Sequence, residues 1–464
     1  MRRIALTVLC LLSAVFWNAC SGGGALDAPG AGRSVAYEPG LPSFDLEALA
    51  TVEDGQPGVD VFASIPRASL VFTSTDSSYV ARYDLTLQVE DAESGDSQSF
   101  VTLGDTLEVA STEATRTYDR LRHREQFDLP PGVYVVEASL EDLETGEQAV
   151  RRQRVEVRGL TGEPWLSRPL VLADMQPGES VEPVVALHVP ARRDSLRVRI
   201  DAYDAPAGAT LDLTLTELRA DTSVAMPPFW ISPSRGSLVY RGIDSESADT
   251  LLTLTESLTT EREQRVVFAL PTLGSGSYRL GFRLRHTTGA TLDRQERTLS
   301  VKGVAFPRLA TLAELVAALD YIAYPREMEF ITAGETPQER RRRFDAFWGA
   351  LVSDRRVAAN LLRLYYERVE ESNLLFTSHK SGWKTDRGMI YIIFGAPGYV
   401  EETFDGEVWY YGYGEQDAAS TYVFERADYY SNRGPSGHYV LVRQPVYERA
   451  WARALNRWRR GAAL

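Results

Sequence analysis

The chain has little cysteine, little histidine and no excess of positive charge. Among its 464 residues are two cysteines, Cys10 and Cys20, and five histidines. We therefore expect no disulfide framework, no metal site and no cofactor, because no histidine or cysteine pair has ligand spacing. The formal net charge of −14 also argues against nucleic acid as a partner, since a phosphate-binding surface needs clustered Lys and Arg.

Motifs of common enzymes are missing as well. The chain has no Gly-x-Ser-x-Gly elbow, no His-Glu-x-x-His helix and no phosphate-binding loop. His379 and Asp386 are one candidate pair for general base catalysis, although a loop histidine is more often a solvated surface residue. An acidic loop is a second candidate for acid–base work, although such loops are usually solvated: Glu401, Glu402, Asp405 and Glu407. No catalytic residue is predicted.

The only long apolar run lies at the N-terminus. Arg2 and Arg3 precede an apolar stretch, residues 4–17, that is short for a membrane-spanning helix. Cys20 follows Ala19 and precedes a Ser-Gly-Gly-Gly tract, which resembles a bacterial lipoprotein signal. Such a signal implies acylation of Cys20, which would otherwise be one unpaired thiol in an exported chain. We predict a signal peptide over residues 1–20; cleavage nearby without lipidation is the alternative.

Gly, Ala, Pro and Ser dominate the next segment, and we assign residues 21–54 to a flexible tether. Alternation of apolar and polar residues then begins, as in residues 82–90, and it predicts half-buried antiparallel strands. Turns rich in Gly, Pro and Asp separate these strands. Residues 55–160 are therefore predicted to form a β-sandwich of immunoglobulin-like type.

A second copy follows over residues 161–303. In both copies a Phe-x-Leu-Pro sequence precedes Gly-x-Tyr, then a turn glycine and a terminal strand. The tyrosines are Tyr134 and Tyr278. We interpret this repeat as two tandem β-sandwiches.

Helical spacing takes over after Phe306. Apolar positions and capping residues predict helices over residues 311–321, from Thr336, and over residues 354–376. Short β-rich segments are predicted to follow, including the apolar run 389–394, before a helix over residues 446–460. Helices segregated from a small sheet indicate an α+β domain, residues 304–464.

One motif carries a family resemblance. Gly382, Trp383, Thr385 and Asp386 spell a sequence that, with its context, resembles the GWxTD domain family of bacterial envelope proteins. The context includes Phe347-Trp348, residues 366–373, Phe376 and residues 408–411. The family has no established biochemical activity, so the resemblance implies a shared fold rather than a reaction.

The motif has two possible roles. Thr385, Asp386, Arg387 and Gly388 have the chemistry of a tight turn into a strand, and Trp383 would pin that turn as a structural latch. The alternative is a binding site on a loop, formed by Trp383, Asp386 and Arg387.

Further residues offer a binding surface. Aromatic residues at 409–413 and 429–430 either stack on a sugar or protein partner or fill the core. The terminal helix places Trp451, Leu455 and Trp458 on one stripe, which packs on the domain's own sheet or on a membrane surface.

The sequence therefore predicts a lipid-anchored protein of the cell envelope, with the outer membrane favoured. We expect a non-enzymatic binding or assembly module whose partners are the membrane and an envelope protein or glycan. The alternative is a hydrolase of glycan or peptide.

Overall fold

In the computed structural model the chain is mostly strand, arranged in several largely antiparallel sheets, with most helices near the C-terminus. The described residues are 33–34, 42–115, 117, 119–174, 181–184, 188–190, 196–259, 261–303, 305–403, 405–412, 420–427 and 437–463. The predicted signal peptide and Cys20 lie outside them. Within these residues, none of the helices combines the length and apolar character that spanning a bilayer requires.

The predicted tether ends earlier than its sequence suggests. A two-residue strand, β1 (Arg33–Ser34), pairs with residues 400–401. Residues 45–53 form strand β2 (Asp45–Glu53) instead of a flexible segment. Strand β2 is ordered because Phe44 and Ala48 are buried in the first apolar core, and because its backbone pairs along its whole length with the next strand.

The first β unit has two sheets that share one apolar core. Tyr83 and Leu85 from one sheet and Val59 and Val61 from the other are fully buried there. The strand orders are β2-β3-β7 and β6-β5-β8-β9, with β4 pairing β5 and a short α1 (Thr112–Thr115) before β7. The bounds are β3 (Gln56–Pro66), β4 (Thr73–Ser74), β5 (Tyr79–Asp91), β6 (Ser97–Val109), β7 (Arg120–Asp128), β8 (Gly132–Asp142) and β9 (Glu147–Val157).

The second β unit repeats this topology around a core of its own. Strands β11-β14-β17 correspond to β2-β3-β7, and β16-β15-β18-β19 correspond to β6-β5-β8-β9. The additional strands β10, β12 and β13 lie at the edges. The bounds are β10 (Trp165–Leu166), β11 (Leu170–Asp174), β12 (Val181–Pro183), β13 (His188–Pro190), β14 (Leu196–Tyr203), β15 (Thr210–Ala220), α2 (Leu238–Arg241), β16 (Ile243–Ser257), β17 (Glu263–Ala269), β18 (Gly276–Arg285) and β19 (Thr291–Lys302).

The repeated Gly-x-Tyr sequence has the same local geometry in both units. The Tyr134 hydroxyl donates to the Pro130 carbonyl oxygen at 2.9 Å, and the Tyr278 hydroxyl donates to the Gly274 carbonyl oxygen at 2.9 Å. Both rings are buried. Each tyrosine thereby closes the corner that leads into the central strand of its sheet, β8 or β18.

The C-terminal part combines helices with one five-stranded sheet. A third apolar core joins its helices to the sheet. The sheet order is β1-β20-β21-β22-β23. The bounds are α3 (Leu312–Ala318), α4 (Pro325–Thr332), α5 (Pro337–Leu351), α6 (Arg355–Phe376), α7 (Asp386–Phe394), β20 (Tyr399–Glu402), β21 (Gly406–Tyr410), β22 (Thr421–Arg426), β23 (Tyr439–Leu441) and α8 (Tyr447–Arg459).

Helix starts in this part follow their capping residues. Thr311 caps α3 with a capping box, Thr336 caps α5 before a proline at its first turn, and Asp354 caps α6. Helix α4, which no sequence pattern predicted, begins at Pro325. The predicted helices at 311–321, 336 and 354–376 are thus present.

The apolar run after the motif was predicted wrongly. Residues 389–394 belong to helix α7, not to a strand. Periodicity cannot separate a buried helix from a buried strand when every residue is apolar. Here the Thr385 N-cap and burial on all sides favour the helix, in which Met389, Ile390 and Ile392 are fully buried.

Candidate functional site

The motif Gly382-Trp383-Lys384-Thr385-Asp386 connects helix α6 to helix α7. Its first residues form a 3₁₀ turn, Gly382–Lys384, pressed against the end of α6. A Cβ at Gly382 would lie 1.7 Å from the Ser372 carbonyl oxygen, and one at Gly388 would lie 2.0 Å from the Gly382 carbonyl oxygen. Only glycine fits at these two positions, because the backbones approach within contact distance.

Trp383 is buried and fixed from two directions. Its side chain is 4% exposed, and its ring meets the Tyr321 ring edge-on with centroids 6.3 Å apart. The Tyr321 hydroxyl donates to the Trp383 carbonyl oxygen at 2.7 Å, and the Trp383 amide donates to Asn373 Oδ1 at 3.2 Å. The indole therefore belongs to the core between the helices and does not face solvent.

Thr385 starts helix α7. Its hydroxyl oxygen accepts from the Gly388 amide at 3.0 Å and donates to the Gly382 carbonyl oxygen at 2.7 Å. The threonine thus satisfies one free amide of the new helix and one free carbonyl of the preceding turn. Residues 385–388 are a helix N-terminus rather than the predicted turn into a strand.

Asp386 forms a buried ion pair that sequence reasoning missed. Its carboxylate accepts from Arg443 Nη1 at 3.1 Å and Nη2 at 2.6 Å, and from the Leu441 amide at 2.8 Å. The Arg443 side chain is 1% exposed. The Leu441 contact ties the first turn of α7 to the last strand of the sheet, and the bidentate pair ties it to the residues just after that strand.

Arg387 forms a second buried ion pair. Its Nη1 donates to Glu407 Oε1 at 2.9 Å, and its Nη2 donates to the Gly437 carbonyl oxygen at 2.9 Å. The guanidinium also lies over the Tyr439 ring, 4.0 Å from its centroid. All of these partners belong to the sheet or to the chain leading into it, so Arg387 binds α7 to the sheet.

Glu407 corrects the prediction of a solvated acidic loop. This carboxylate is buried, and its Oε2 accepts from Trp409 Nε1 at 2.9 Å. Glu401 accepts from the Tyr410 hydroxyl at 3.0 Å, whereas Asp405 is exposed. The side chain of Glu402 lies outside the described set. The described members of the predicted acidic group therefore have different environments and roles.

His379 is also buried, contrary to the surface position expected for a loop histidine. Its ring centroid lies 4.6 Å from that of His438 in an edge-on contact. Burial lowers the pKa of His379 well below its usual range, and the neighbouring His438 and Lys380 add to this effect. Burial, together with the charge of Lys380, lowers the pKa of His438 to about 4. Both rings are therefore neutral at pH 7.

The long segment between β15 and β16 of the second β unit docks on the motif, a contact that the sequence analysis did not predict. Lys380 Nζ donates to Asp221 Oδ2 at 2.7 Å and to the Ser223 carbonyl oxygen at 3.0 Å. Lys384 Nζ donates to the Thr222 carbonyl oxygen at 3.2 Å. We name residues 221–242 the docking segment.

Further contacts extend along the docking segment. Arg443 Nη2 donates to the Met226 carbonyl oxygen at 3.1 Å, and the Arg443 amide donates to Ser232 Oγ at 3.0 Å. Gly242, at φ +77°, packs so tightly that a Cβ would lie 2.5 Å from His379 Cε1. Val224, Ala225 and Phe229 pack against the C-terminal core. The second β unit thus contributes directly to the surroundings of the motif.

Lys302 completes this junction. It ends strand β19, is buried, and its Nζ donates to the His379 carbonyl oxygen at 3.2 Å. Burial, together with the charge of Lys384, lowers the pKa of Lys302 to about 7. The chain has only three lysines, Lys302, Lys380 and Lys384, and all of them lie here. Their rarity was the one sequence signal that could have located the junction.

The aromatic candidates are divided between core and surface. Trp409 is fully buried, and the Tyr411 hydroxyl donates to the Gly395 carbonyl oxygen at 2.7 Å. Tyr410 stacks on Tyr399 with centroids 4.2 Å apart. Residues 413, 429 and 430 lie outside the described part of the chain. In α8, Trp451 and Trp458 pack into the domain's own core, as one of the two alternatives predicted.

The charged groups of the motif are engaged within the fold. In the part of the chain that the structure describes, no group of three or more His, Cys, Asp or Glu side chains is placed to hold a metal ion. Asp386 and Arg387 are held by internal partners, and His379 is buried against the second β unit. What the motif residues do in this structure is join α6, α7, the sheet and the docking segment.

Fold and site together define a mostly β protein that ends in a mixed helix-and-sheet domain with a buried ionic core. A model of the GWxTD domain matches residues 285–460. The chain is a GWxTD domain-containing protein, as predicted from Gly382, Trp383, Thr385 and Asp386. The match also takes in strand β19 of the second β unit. No curated protein matches the chain significantly.

Three solved structures show weak likeness. A red sea bream transglutaminase matches with 10% identity and a TM-score of 0.17, over 56% of this chain and 31% of its own. A trypsin-activated alpha-2-macroglobulin from Escherichia coli matches with 12% identity and a TM-score of 0.18, over 57% of this chain and 17% of its own. A serine-rich repeat protein from Streptococcus agalactiae matches with 8% identity and a TM-score of 0.20, over 56% and 92%. The chain thus spans less than a third of the first two.

Proposed function

We propose that this chain is a lipid-anchored protein of the cell envelope that acts as a non-enzymatic binding or assembly module. The anchor and the location are proposed from the lipoprotein-like sequence at Cys20. The observation that carries the non-enzymatic role is the burial and internal pairing of the motif's charged groups. Asp386 is paired with Arg443, and Arg387 with Glu407, in the core of the domain. Residues that act on a substrate need a face that the substrate can reach.

The same observation weighs against the alternative, a hydrolase of glycan or peptide. That alternative places Asp386, His379 or the acidic loop in the active site. A general base must come within hydrogen-bond reach of its substrate. The carboxylate of Asp386 is taken up by Arg443 and the Leu441 amide, and His379 packs on His438 and Gly242.

We further propose that the two β units are immunoglobulin-like sandwiches. The support is their shared order of seven strands in two antiparallel sheets. The tyrosine hydroxyls at Tyr134 and Tyr278 each bond to a backbone carbonyl four residues upstream, which resembles the tyrosine corner of such folds. Sandwiches of this kind occur in many cell-surface proteins as spacers and binding units.

The motif then acts as a latch between the second sandwich and the C-terminal domain. Lys380, Lys384 and Arg443 all reach the docking segment from the GWxTD side. Of these contacts the one between Lys380 and Asp221 is buried, and losing it would leave an unpaired charged group, so it favours one relative geometry of the two parts. A rigid arm that presents a terminal domain fits an assembly role.

Labelling with palmitate tests the anchor. The chain expressed in a bacterium should incorporate label, and Cys20→Ala should abolish it, whereas Cys10→Ala should leave it unchanged. Label in Cys20→Ala, or none in the original chain, would contradict lipidation.

Cross-linking in intact envelopes, followed by affinity capture, tests the binding role. We expect a specific neighbour to be recovered with the original chain. Asp405→Asn, a change at an exposed carboxylate, should leave recovery unchanged. Recovery of no specific neighbour, together with release of glycan or peptide fragments by the purified chain, would favour the hydrolase.

A further inference from the structure

One side of the C-terminal domain carries arginines that the fold itself does not use. Helix α8 buries Tyr447, Trp451, Ala454 and Trp458 on one stripe. On the opposite stripe Arg449, Arg453, Arg457 and Arg460 are exposed. The first three are spaced at i, i+4 and i+8, so they lie on one face of the helix.

Two more arginines lie next to the end of this stripe. Gly461 packs against the turn before α6, where a Cβ on it would lie 2.9 Å from Val352 Cγ2 and 3.1 Å from Val357 Cγ1. The end of α8 thus adjoins the start of α6, where Arg355 and Arg356 are exposed. We name these six side chains the arginine face: Arg355, Arg356, Arg449, Arg453, Arg457 and Arg460.

The arginine face has few negative charges to balance it. In the described part of the chain none of the six arginines forms an ion pair with a carboxylate. Asp354 borders the face but is engaged in capping α6, and Glu448 is the only acidic residue in the described exposed stripe of α8. Arg355 and Arg356 also stand in the first turn of a helix, where the macrodipole disfavours cations.

This surplus of positive charge stands out because the chain as a whole has a formal net charge of −14. The helix dipole explains Arg457 and Arg460, which lie at the C-terminal end of α8. It does not explain Arg449, Arg453, Arg355 or Arg356. Neither an ion pair nor the helix dipole therefore accounts for these four arginines, and their charge is complementary to an anionic partner.

The composition of the face distinguishes between kinds of anionic partner. Protein interfaces have an apolar, often aromatic centre surrounded by polar groups. On the exposed stripe of α8 the residues between the arginines are Ala452 and Asn456. Val446, an exposed apolar side chain, lies at the N-cap, so it is at the end of the stripe and not at its centre. A charged face without an apolar centre fits a diffuse layer of phosphates better than a protein surface.

We propose that the arginine face docks on the surface of a bilayer through anionic phospholipid headgroups. The apolar stripe of α8 stays in the domain core, so the contact is electrostatic and peripheral, without insertion. Docking would lay the C-terminal domain flat on the membrane. Such docking requires no acyl chain on Cys20. It is a second membrane contact, separate from the lipid anchor proposed above.

Vesicle binding tests this proposal. The full chain carrying Cys20→Ala is mixed with phosphatidylcholine vesicles that contain or lack phosphatidylglycerol, and the bound fraction is measured by flotation. We expect tighter binding to the phosphatidylglycerol vesicles and a loss of this preference at high salt. The triple change Arg449→Gln, Arg453→Gln, Arg457→Gln should weaken that binding about 100-fold, since each arginine contributes about fivefold near an anionic surface.

The matched control changes three exposed arginines of the β units, Arg154→Gln, Arg168→Gln and Arg283→Gln. It alters net charge equally and should leave the vesicle preference unchanged. Both triple variants should unfold at the original denaturant midpoint.

Equal losses of vesicle binding in both triple variants, or no preference for phosphatidylglycerol in the original chain, would overturn the proposal. If the α8 variant instead lost only its captured envelope protein, the partner would be a protein. Capture of envelope neighbours is measured separately, so failure here leaves the assembly proposal intact.

Discussion

At the residue scale, the four residues that define the GWxTD motif are all buried in the fold. Gly382 allows backbone contact with α6, Thr385 caps α7, and Asp386 and Arg387 each pair with a buried partner. Buried charges of this kind are weak evidence for net stability, but removing one partner is costly because the other stays buried and unpaired. This asymmetry gives the motif testable consequences.

Asp386→Ala should lower the free energy of unfolding by about 3–5 kcal/mol, because it leaves the Arg443 guanidinium uncompensated. Denaturant unfolding measures the change. Asp405→Ala, at an exposed carboxylate, should cost under about 0.5 kcal/mol. Asp386→Ala combined with Arg443→Met should recover part of the loss. A cost below about 1 kcal/mol for Asp386→Ala would mean that the pair does not hold α7 to the sheet.

Lys302→Met should stabilise the chain at neutral pH. The unfolded lysine titrates near 10.5 and the folded one near 7, so the unfolded state binds more protons between these values. The free energy of unfolding therefore falls as the pH drops from 10.5 to 7. Above pH 10.5 the buried lysine no longer lowers it. We expect Lys302→Met to raise the free energy of unfolding by roughly 1–4 kcal/mol at pH 7, with a smaller gain at pH 10. An equal gain at both values would contradict a buried, titrating ammonium.

At the scale of elements, helix α7 illustrates how far local sequence can predict structure. Strand alternation in the β units, and the caps at Thr311, Thr336 and Asp354, are local patterns, and the structure has the corresponding elements. Residues 389–394 are apolar throughout and match either element. Contacts from α6, the sheet and α8 surround this segment, and together with the Thr385 N-cap they favour the helix.

Gly388→Ala should destabilise α7 although alanine is the better helix former. Its Cβ would lie 2.0 Å from the Gly382 carbonyl oxygen, so we expect a loss of about 1–3 kcal/mol from overpacking. The matched control is Gly349→Ala in helix α5, where nothing lies within 4 Å of the new Cβ and a gain of about 0.5–1 kcal/mol is expected. Chemical denaturation of both variants decides this, and a stabilised Gly388→Ala would refute the close packing of α6 and α7.

At the scale of the whole molecule, the second β unit and the C-terminal domain share a polar junction that is buried in part. The docking segment supplies Asp221 and several backbone oxygens, and the other side supplies Lys380, Lys384 and Arg443. The family match beginning at residue 285 includes β19 and therefore Lys302, which contacts His379. The matched region thus contains one side of the junction, whereas the docking segment, residues 221–242, lies before it.

Acid should weaken this junction. His379 and His438 stay neutral when folded, with a pKa of about 4 for His438, whereas unfolded histidine titrates near 6.5. The unfolded state thus binds more protons between these values, so the free energy of unfolding falls as the pH drops from about 6.5 to about 4. Lys302, Lys380 and Arg387 on the facing elements add repulsion, and Asp386 opposes it.

Unfolding measured at pH 7 and pH 4.5 tests this expectation. His438→Gln should reduce the loss between these values by about 2–3 kcal/mol. The half-buried His286, changed to Gln, serves as the control and should leave the loss unchanged. An unaltered acid sensitivity in His438→Gln would mean that the histidine pair does not control the junction.

The sequence alone determined the properties that depend on neighbours along the chain. Alternation predicted the β-rich units, capping residues predicted the starts of α3, α5 and α6, and the spelling of the motif predicted the family. Tertiary structure alone decided which partners each charge finds. Arg443 lies 57 residues from Asp386, and Asp221 lies 159 residues from Lys380, and no local pattern encodes such pairs. The reason is physical, because local preferences depend on adjacent backbone, whereas a buried ion pair depends on folding that brings distant segments together.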